Sequence, residues 1–341
     1  MPAFNPDDAP VAEGAAASDS VPVIDLGGVA GVTDPAEIAR VAGEIGEACR
    51  DWGFFQVVNH GVSPAHLARV WDETAGFFAL PRPVKRALER THESPWGYFD
   101  RELTKNIRDK KEIFDIGPEV DAAQAAADPF SGATPWPAER PGFEPALRAH
   151  FEICADLSQR LLRAISRGLD LPADRLDRYF AGGHTSFLRL NYYPVEDPLS
   201  DLPASARDGA DLGVHHHSDS GALTVLMQDQ VGGLQVFKDG LWHNVAPLKG
   251  AFVINIGDMV QVWSNDRYRA ALHRVVAMER TDRYSIPFFF NPSYDSAVDP
   301  LVDLAEGAHY SAIHWGEFRR KRADGDFADT GKEVQIADYR R

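Results

Sequence analysis

Beyond residue 185 the chain is cut into short runs rich in β-branched and aromatic residues, each closed by Gly, Asp or Asn. The runs are Phe187–Tyr193, Ala222–Met227, Gly233–Phe237, Trp242–Val245, Ala251–Ile256, His273–Met278 and Tyr284–Phe290. Strands this short and this closely spaced predict a β-sandwich or barrel. No other feature of the sequence constrains the fold as tightly. The hydrophobic content of 44% is enough to fill a sizeable core.

The first half reads differently. Pro22–Leu26 is a short strand candidate. Asp34, Pro35 and Glu37 read as N-cap, first helical residue and capping-box partner. Ile38, Val41, Ala42, Ile45, Cys49 and Trp52 then mark one helical face. Phe54–Val58 predicts a strand closed by Asn59-His60-Gly61, and Ser63-Pro64 opens a second helix towards Phe78. Five prolines and an alanine tract make 121–145 a loop. A long helix is expected from about 145 to 168, with Leu147, Phe151, Cys154, Leu157, Leu161 and Ile165 as its apolar stripe. The resulting division is a disordered lead-in at 1–20, an N-terminal region at 21–120, the loop at 121–145, a connecting helix at 146–184, the β core at 185–295 and a C-terminal segment at 296–341.

Charge and cysteine usage exclude several classes. The formal net charge of −16 opposes a nucleic-acid binder, which needs clustered Lys and Arg to release counterions. Two cysteines, Cys49 and Cys154, cannot build a disulfide framework and fit a reducing compartment. The first basic residue is Arg40, so the beginning of the chain lacks the charged region of a secretory signal. No apolar run approaches the ~18 residues of a membrane span. A soluble, cytoplasmic protein is expected, a monomer or weak homo-oligomer, with a small-molecule partner and neither nucleic acid nor membrane.

Three residues carry candidate chemistry. His217 and Asp219 are i and i+2, so in an extended segment they share a face and can reach one ion. His273 opens a later run that can bring a second imidazole to the same place. Two imidazoles and a carboxylate leave open positions on a metal, the donor set of non-haem Fe(II) oxygenases. His-x-Asp alone also fits a surface turn at His215-His216-His217. A second i, i+2 pair, Arg283 and Ser285, lies ten residues past His273 on the apolar run ending Phe288-Phe289-Phe290. It would aim a guanidinium and a hydroxyl into the same cavity and hold a carboxylate there.

Long motifs now point to a family. Gly221–Asp229, Val231–Val236, Gly250–Asp258 and Trp263–Tyr268 resemble the core of the isopenicillin-N-synthase-like oxygenases, the plant-type branch of the 2-oxoglutarate and Fe(II)-dependent dioxygenases. Gly53–Val62 is similar to that family's helical N-terminal region. The resemblance runs from about residue 21 to 340. It implies a mainly β fold with α, a distorted double-stranded β-helix (a cupin-like jelly roll) with an N-terminal helical layer. It implies Fe(II) held by His217, Asp219 and His273. Arg283 and Ser285 match the pair that grips the distal carboxylate of 2-oxoglutarate, Tyr193 matches a tyrosine that adds a hydrogen bond there, and Asn191 matches a position beside the cosubstrate.

The implied reaction consumes 2-oxoglutarate and O2, releases succinate and CO2, and hydroxylates or desaturates a small molecule, as in secondary metabolism. By position, Phe114, Asp115, Arg189, Phe289 and Asn291 are substrate-pocket candidates. Phe114 and Phe289 would clamp an apolar skeleton, and Arg189 would pair with a substrate carboxylate. Two other readings stay open at this point. One is an iron oxidase of the oxidative-cyclisation type that does not use 2-oxoglutarate, since such relatives keep a similar Arg-x-Ser pair. The other is a non-catalytic jelly-roll ligand-binding module. A zinc hydrolase lacks a placed general base.

Overall fold

In the computed structural model, residues 6, 9–12, 20–27, 34–91, 94–104, 107–119, 132–200, 212–327 and 334–341 are described. Most of the lead-in at 1–20 and part of the 121–145 loop lie outside them. What is described of the lead-in is tied down. Val11 bridges to Trp242, and the Trp242 indole donates to the Pro6 carbonyl at 2.7 Å.

In chain order the elements are β1 (Val23–Asp25), α1 (Pro35–Asp51), β2 (Phe54–Val58), α2 (Pro64–Phe78), α3 (Arg82–Arg86), β3 (Gly97–Phe99), β4 (Leu103–Thr104), β5 (Ile107–Arg108) and β6 (Glu112–Ile116). There follow α4 (Phe143–Gly168), β7 (Phe187–Tyr193), β8 (Leu212–His217), β9 (Leu223–Gln228), β10 (Leu234–Lys238), β11 (Leu241–Asn244), β12 (Phe252–Ile256) and α5 (Asp258–Trp263). The chain ends with β13 (His273–Val276), β14 (Arg283–Phe290), β15 (Ala297–Val298), β16 (Ile313–His314) and α6 (Trp315–Phe327).

The strands form a major sheet of eight, ordered β1-β2-β12-β9-β14-β7-β6-β3, and a minor sheet of four, ordered β11-β10-β13-β8. Only β1–β2 is parallel among the pairs of these two sheets. This is the expected jelly roll with a helical layer. The N-terminal region contributes more than that layer, because β1, β2, β3 and β6 complete the major sheet. The β core therefore extends well outside 185–295.

Alternation along the major sheet sorts side chains between two interiors. On β14, Ile286, Phe288 and Phe290 face the helices and join Val225 of β9, Leu188 of β7 and Ile254 of β12 in one core. Val41, Ile45 and Cys49 of α1 and Phe151, Leu157 and Leu161 of α4 close that core. The alternate residues face the minor sheet, where Phe54, Tyr193, Leu226 and Val253 meet Val214, Leu234, Val236 and Val275. The candidate residues sit in this second interior.

Local chemistry sets the helix ends with one departure from expectation. Asp34 caps α1 by accepting from the Ala36 amide at 3.0 Å, and Ser63 caps α2 by accepting from the His66 amide at 3.2 Å. Glu37 is not the capping-box partner: its carboxylate turns to Arg40 on the next turn, where an i, i+3 ion pair is available. The stretch after Asp211 is a further difference. Leu212-Gly213-Val214-His215-His216-His217 is a strand, not a surface turn. Gly213 permits it, since a Cβ there would lie 2.9 Å from the Tyr193 ring and 3.1 Å from Val275.

Candidate metal centre and cosubstrate pocket

His217 ends β8, Asp219 follows two residues later, and His273 opens β13. These strands pair antiparallel with His273 opposite His217. The Asp219 carboxylate closes the triangle, with Oδ1 3.6 Å from His217 Nε2 and 3.5 Å from His273 Nε2. The donor atoms of the three residues all lie within 4.8 Å of one another, and no other such group occurs among the described residues.

Hydrogen bonds fix which atom each residue offers. The His217 Nδ1 faces the His215 carbonyl at 2.8 Å and the His273 Nδ1 faces the Ala271 carbonyl at 3.3 Å. A carbonyl only accepts, so each Nδ1 carries the proton and each Nε2 presents its lone pair to the centre. Asp219 Oδ2 accepts from the Thr224 hydroxyl at 2.5 Å and from the Asn255 amide at 2.7 Å, which leaves Oδ1 for an ion. Burial and then the adjacent His273 push His217 below the ordinary imidazole range. Burial would raise Asp219, but the two imidazoles and the two hydrogen bonds hold it below the usual carboxylate value. Both directions favour the deprotonated donors that a metal requires.

Deeper between the sheets lies Arg283, which is fully buried. Its Nη2 reaches Gln228 Oε1 only at 3.5 Å, and its Nε and Nη1 have no hydrogen-bond partner. Its guanidinium lies 4.8 Å over the Tyr193 ring. Strand register explains the company it keeps: Tyr193 is paired with Arg283, and Asn191 with Ser285. Asn191 donates to the Ser285 hydroxyl at 3.3 Å, and its own carbonyl oxygen has no partner. A buried cation with two unused N–H groups is costly unless an anion meets it. The donor set and this orphaned guanidinium fit Fe(II) and a carboxylate cosubstrate respectively.

A small cavity of about 80 Å3 joins the two clusters. His217, Asp219, His273, Arg283, Ser285, Tyr193 and Asn191 all line it, as do Arg189 and Phe289. The Phe289 ring stacks on Phe187 with centroids 4.6 Å apart.

The other pocket candidates are placed differently. Phe114 faces away from the cavity, because alternation on β6 turns it into the helix-side core against Phe77 and Phe143. Asn291 lies past the end of β14, where its amide donates to the Thr185 carbonyl at 3.3 Å. Its Oδ1 occupies the space that a Cβ at Gly221 would need. Asp115 stands behind Arg189 and holds it in a two-bond fork, Nε to Oδ1 at 2.7 Å and Nη2 to Oδ2 at 2.8 Å. Glu102 takes the Arg189 Nη1 at 2.8 Å. The guanidinium expected to meet a substrate carboxylate is thus already engaged by the protein's own.

Asn255, Thr224 and Gln228 were not among the residues singled out from sequence. Their signal was present as polar residues at inward positions of apolar strands.

A jelly roll holding two imidazoles and one carboxylate at its mouth, above a buried guanidinium, defines a non-haem iron oxygenase. The 2OG-Fe(II) oxygenase superfamily model matches residues 184–292, and the model described as non-haem dioxygenase in morphine synthesis N-terminal matches 21–139. Jasmonate-induced oxygenase 2 of Arabidopsis thaliana is 34% identical over 306 residues, 86% of this chain and 75% of that protein. A full-length Neurospora crassa protein crystallised in complex with alpha-KG superposes with a TM-score of 0.76 at 28% identity, over 89% of this chain and 96% of that one. A crystal structure of JOX2 in complex with 2OG, Fe and JA superposes with a TM-score of 0.72 at 32% identity, over 88% and 84% of the two chains. The chain belongs to the 2-oxoglutarate and Fe(II)-dependent oxygenase superfamily. It is a dioxygenase that uses Fe(II), 2-oxoglutarate and O2 to hydroxylate or desaturate its substrate. The readings as a 2-oxoglutarate-independent oxidase and as a non-catalytic module give way to this one. No helix among the described residues is long and apolar enough to cross a membrane.

Proposed function

We propose that His217, Asp219 and His273 hold the Fe(II), and that Arg283, Ser285 and Tyr193 bind the distal carboxylate of 2-oxoglutarate, with Asn191 beside it. The observation that carries this reading is the Arg283 guanidinium. It is fully buried, has two unpaired N–H groups and shares one cavity with the three metal-binding side chains. Bound Fe(II), with 2-oxoglutarate and O2, supplies the oxidising power that removes hydrogen from the substrate while the cosubstrate leaves as succinate and CO2. The chain's own residues keep donor atoms deprotonated and oriented, neutralise the cosubstrate's far charge and keep the cavity largely dry.

The substrate in this reading is a small molecule whose apolar body lies against Phe289, backed by Phe187. Arg189, expected as a carboxylate anchor, serves instead as a wall held by Asp115 and Glu102. The working compartment is reducing, as in the cytoplasm, in keeping with two free and buried cysteines, Cys49 and Cys154.

An anaerobic titration tests the assignment. With Fe(II) bound, added 2-oxoglutarate is expected to produce a weak visible charge-transfer band that saturates. In Arg283→Ala the same band should need far more 2-oxoglutarate. Saturation at the wild-type concentration in that variant would remove Arg283 from the site.

A further inference from the structure

The N-terminal turn between β5 and β6 reaches the metal centre through a chain of hydrogen bonds that begins at Asp109. This carboxylate is fully buried. Its Oδ1 accepts from the His215 amide and from His215 Nδ1, both at 3.2 Å. Its Oδ2 accepts from the Thr104 hydroxyl at 2.7 Å and from Lys111 Nζ at 3.0 Å. The turn is stitched to β8 a second time, where the Lys110 amide donates to the Leu212 carbonyl at 3.0 Å. His215, clamped at two points, places the carbonyl that takes the His217 Nδ1 proton at 2.8 Å. That bond decides which nitrogen of His217 faces the ion and how the ring is turned.

We propose that Asp109 is a positioning residue for the metal: it fixes the His215 peptide and thereby orients the His217 imidazole. Every group facing Asp109 in these contacts is a donor, and a carboxylate is the acceptor-only group that satisfies all of them. The Lys111 ammonium is the other end of the device. Burial opposes its charge, but Asp109 and Glu102 keep it protonated, with Glu102 Oε2 at 2.7 Å. The N-terminal region is in this view part of the metal site and not only a cover for the sheet.

The inference rests on His217 being a metal ligand, and the experiment separates the two ideas. Metal-free protein is titrated with Co(II) under anaerobic conditions without 2-oxoglutarate, and affinity is read from the visible ligand-field absorption. His217→Ala tests the ligand assignment; wild-type Co(II) affinity there would overturn that assignment. Asp109→Asn tests the positioning role. The amide must aim N–H groups either at Lys111 and Thr104 or at His215, so the clamp cannot survive intact. Co(II) affinity is expected to fall by about 10- to 100-fold, the range for lost outer-shell support, with an altered absorption envelope. Asp115→Asn breaks the neighbouring Arg189 fork but not this chain, and should leave Co(II) affinity within about twofold of wild type. If Asp109→Asn does not fold, Thr104→Val reads the same quantity and should weaken Co(II) at least about threefold. Wild-type affinity and absorption in a folded Asp109→Asn, or in Thr104→Val where the first variant fails, overturns the proposal. An equal loss in Asp115→Asn does the same, because it would mark a general effect of loosening the buried ion network.

Discussion

His217 and His273 are direct cross-strand partners on β8 and β13, with ring centroids 4.2 Å apart. The pairing makes the proposed metal centre a property of strand register. A one-residue slip of either strand would turn its imidazole to the opposite face. The ladder shifts register just beyond the pair, between His273 and Val275 and again between Val275 and Val276, so the two histidines form the end rung of the pairing. Replacing either by Ala is expected to weaken Fe(II) by more than the ~10–100-fold of an outer-shell change. Asp219→Ala should abolish hydroxylation as well. Iron stoichiometry after desalting and succinate release check this, and a fully active Asp219→Ala would sink the triad.

Arg283→Ala removes a buried charged donor from the inner end of the cavity. The expected loss in 2-oxoglutarate affinity is ~1.5–3 kcal/mol, the range for hydrogen bonds to charged groups. The Michaelis constant for 2-oxoglutarate should rise accordingly, by about 10- to 150-fold. Metal affinity without cosubstrate should change little, because among the described residues Arg283 makes no hydrogen bond to His217, Asp219 or His273, the proposed ligands. An unchanged Michaelis constant would place the carboxylate anchor elsewhere.

Phe114 and Phe289 make a paired test of which aromatic faces the cavity. Phe114 is fully buried among Phe77, Phe143 and Trp136 on the helix side. Phe114→Ala should cost ~3–5 kcal/mol of stability as a core truncation and leave the substrate Michaelis constant nearly unchanged. Phe289→Ala should do the reverse. It should raise that constant by about 2- to 12-fold, matching the ~0.5–1.5 kcal/mol of an aromatic pair. Denaturant melts beside steady-state kinetics separate the outcomes, and equal effects from both variants would refute the assignment of faces.

How much of this was legible in sequence depends on what each residue answers to. Arg283 and Ser285 were readable because a period of two is intrinsic to a strand, and β14 obeys it over eight residues. His217, Asp219 and His273 were readable by donor type and spacing. β8 was not, because Gly213 and three successive histidines break the alternation that marks a strand, and a glycine there answers to the close approach of Tyr193 and of Val275 and Val276 on β13. Phe114 was misplaced for a related reason. On β6 every residue is buried, Glu112 and Asp115 included, so polarity does not reveal which side faces which interior. The Asp109–His215 contact joins residues 106 apart and left no local pattern to find.

His150 supplies a pH dependence. It is buried in α4, with Nδ1 3.3 Å from His66 Nε2 and Nε2 3.6 Å from Cys154 Sγ. Burial first, then the His66 imidazole, pushes it down to about 3. In the unfolded chain its value returns to about 6.5. Between those two values the unfolded state binds the proton and the folded state does not. The contribution is therefore complete above pH ~6.5 and is lost as pH falls, at up to ~1.4 kcal/mol per unit. From pH 7 to 5 the loss from this residue alone is about 2 kcal/mol. His150→Leu has nothing to titrate at that position, so its stability should fall by about that much less than the wild type's over the same interval. Urea denaturation at pH 7 and pH 5 measures the difference. Equal losses in the two proteins would mean that His150 takes up its proton in the folded state, with water or a carboxylate reaching it between α2 and α4.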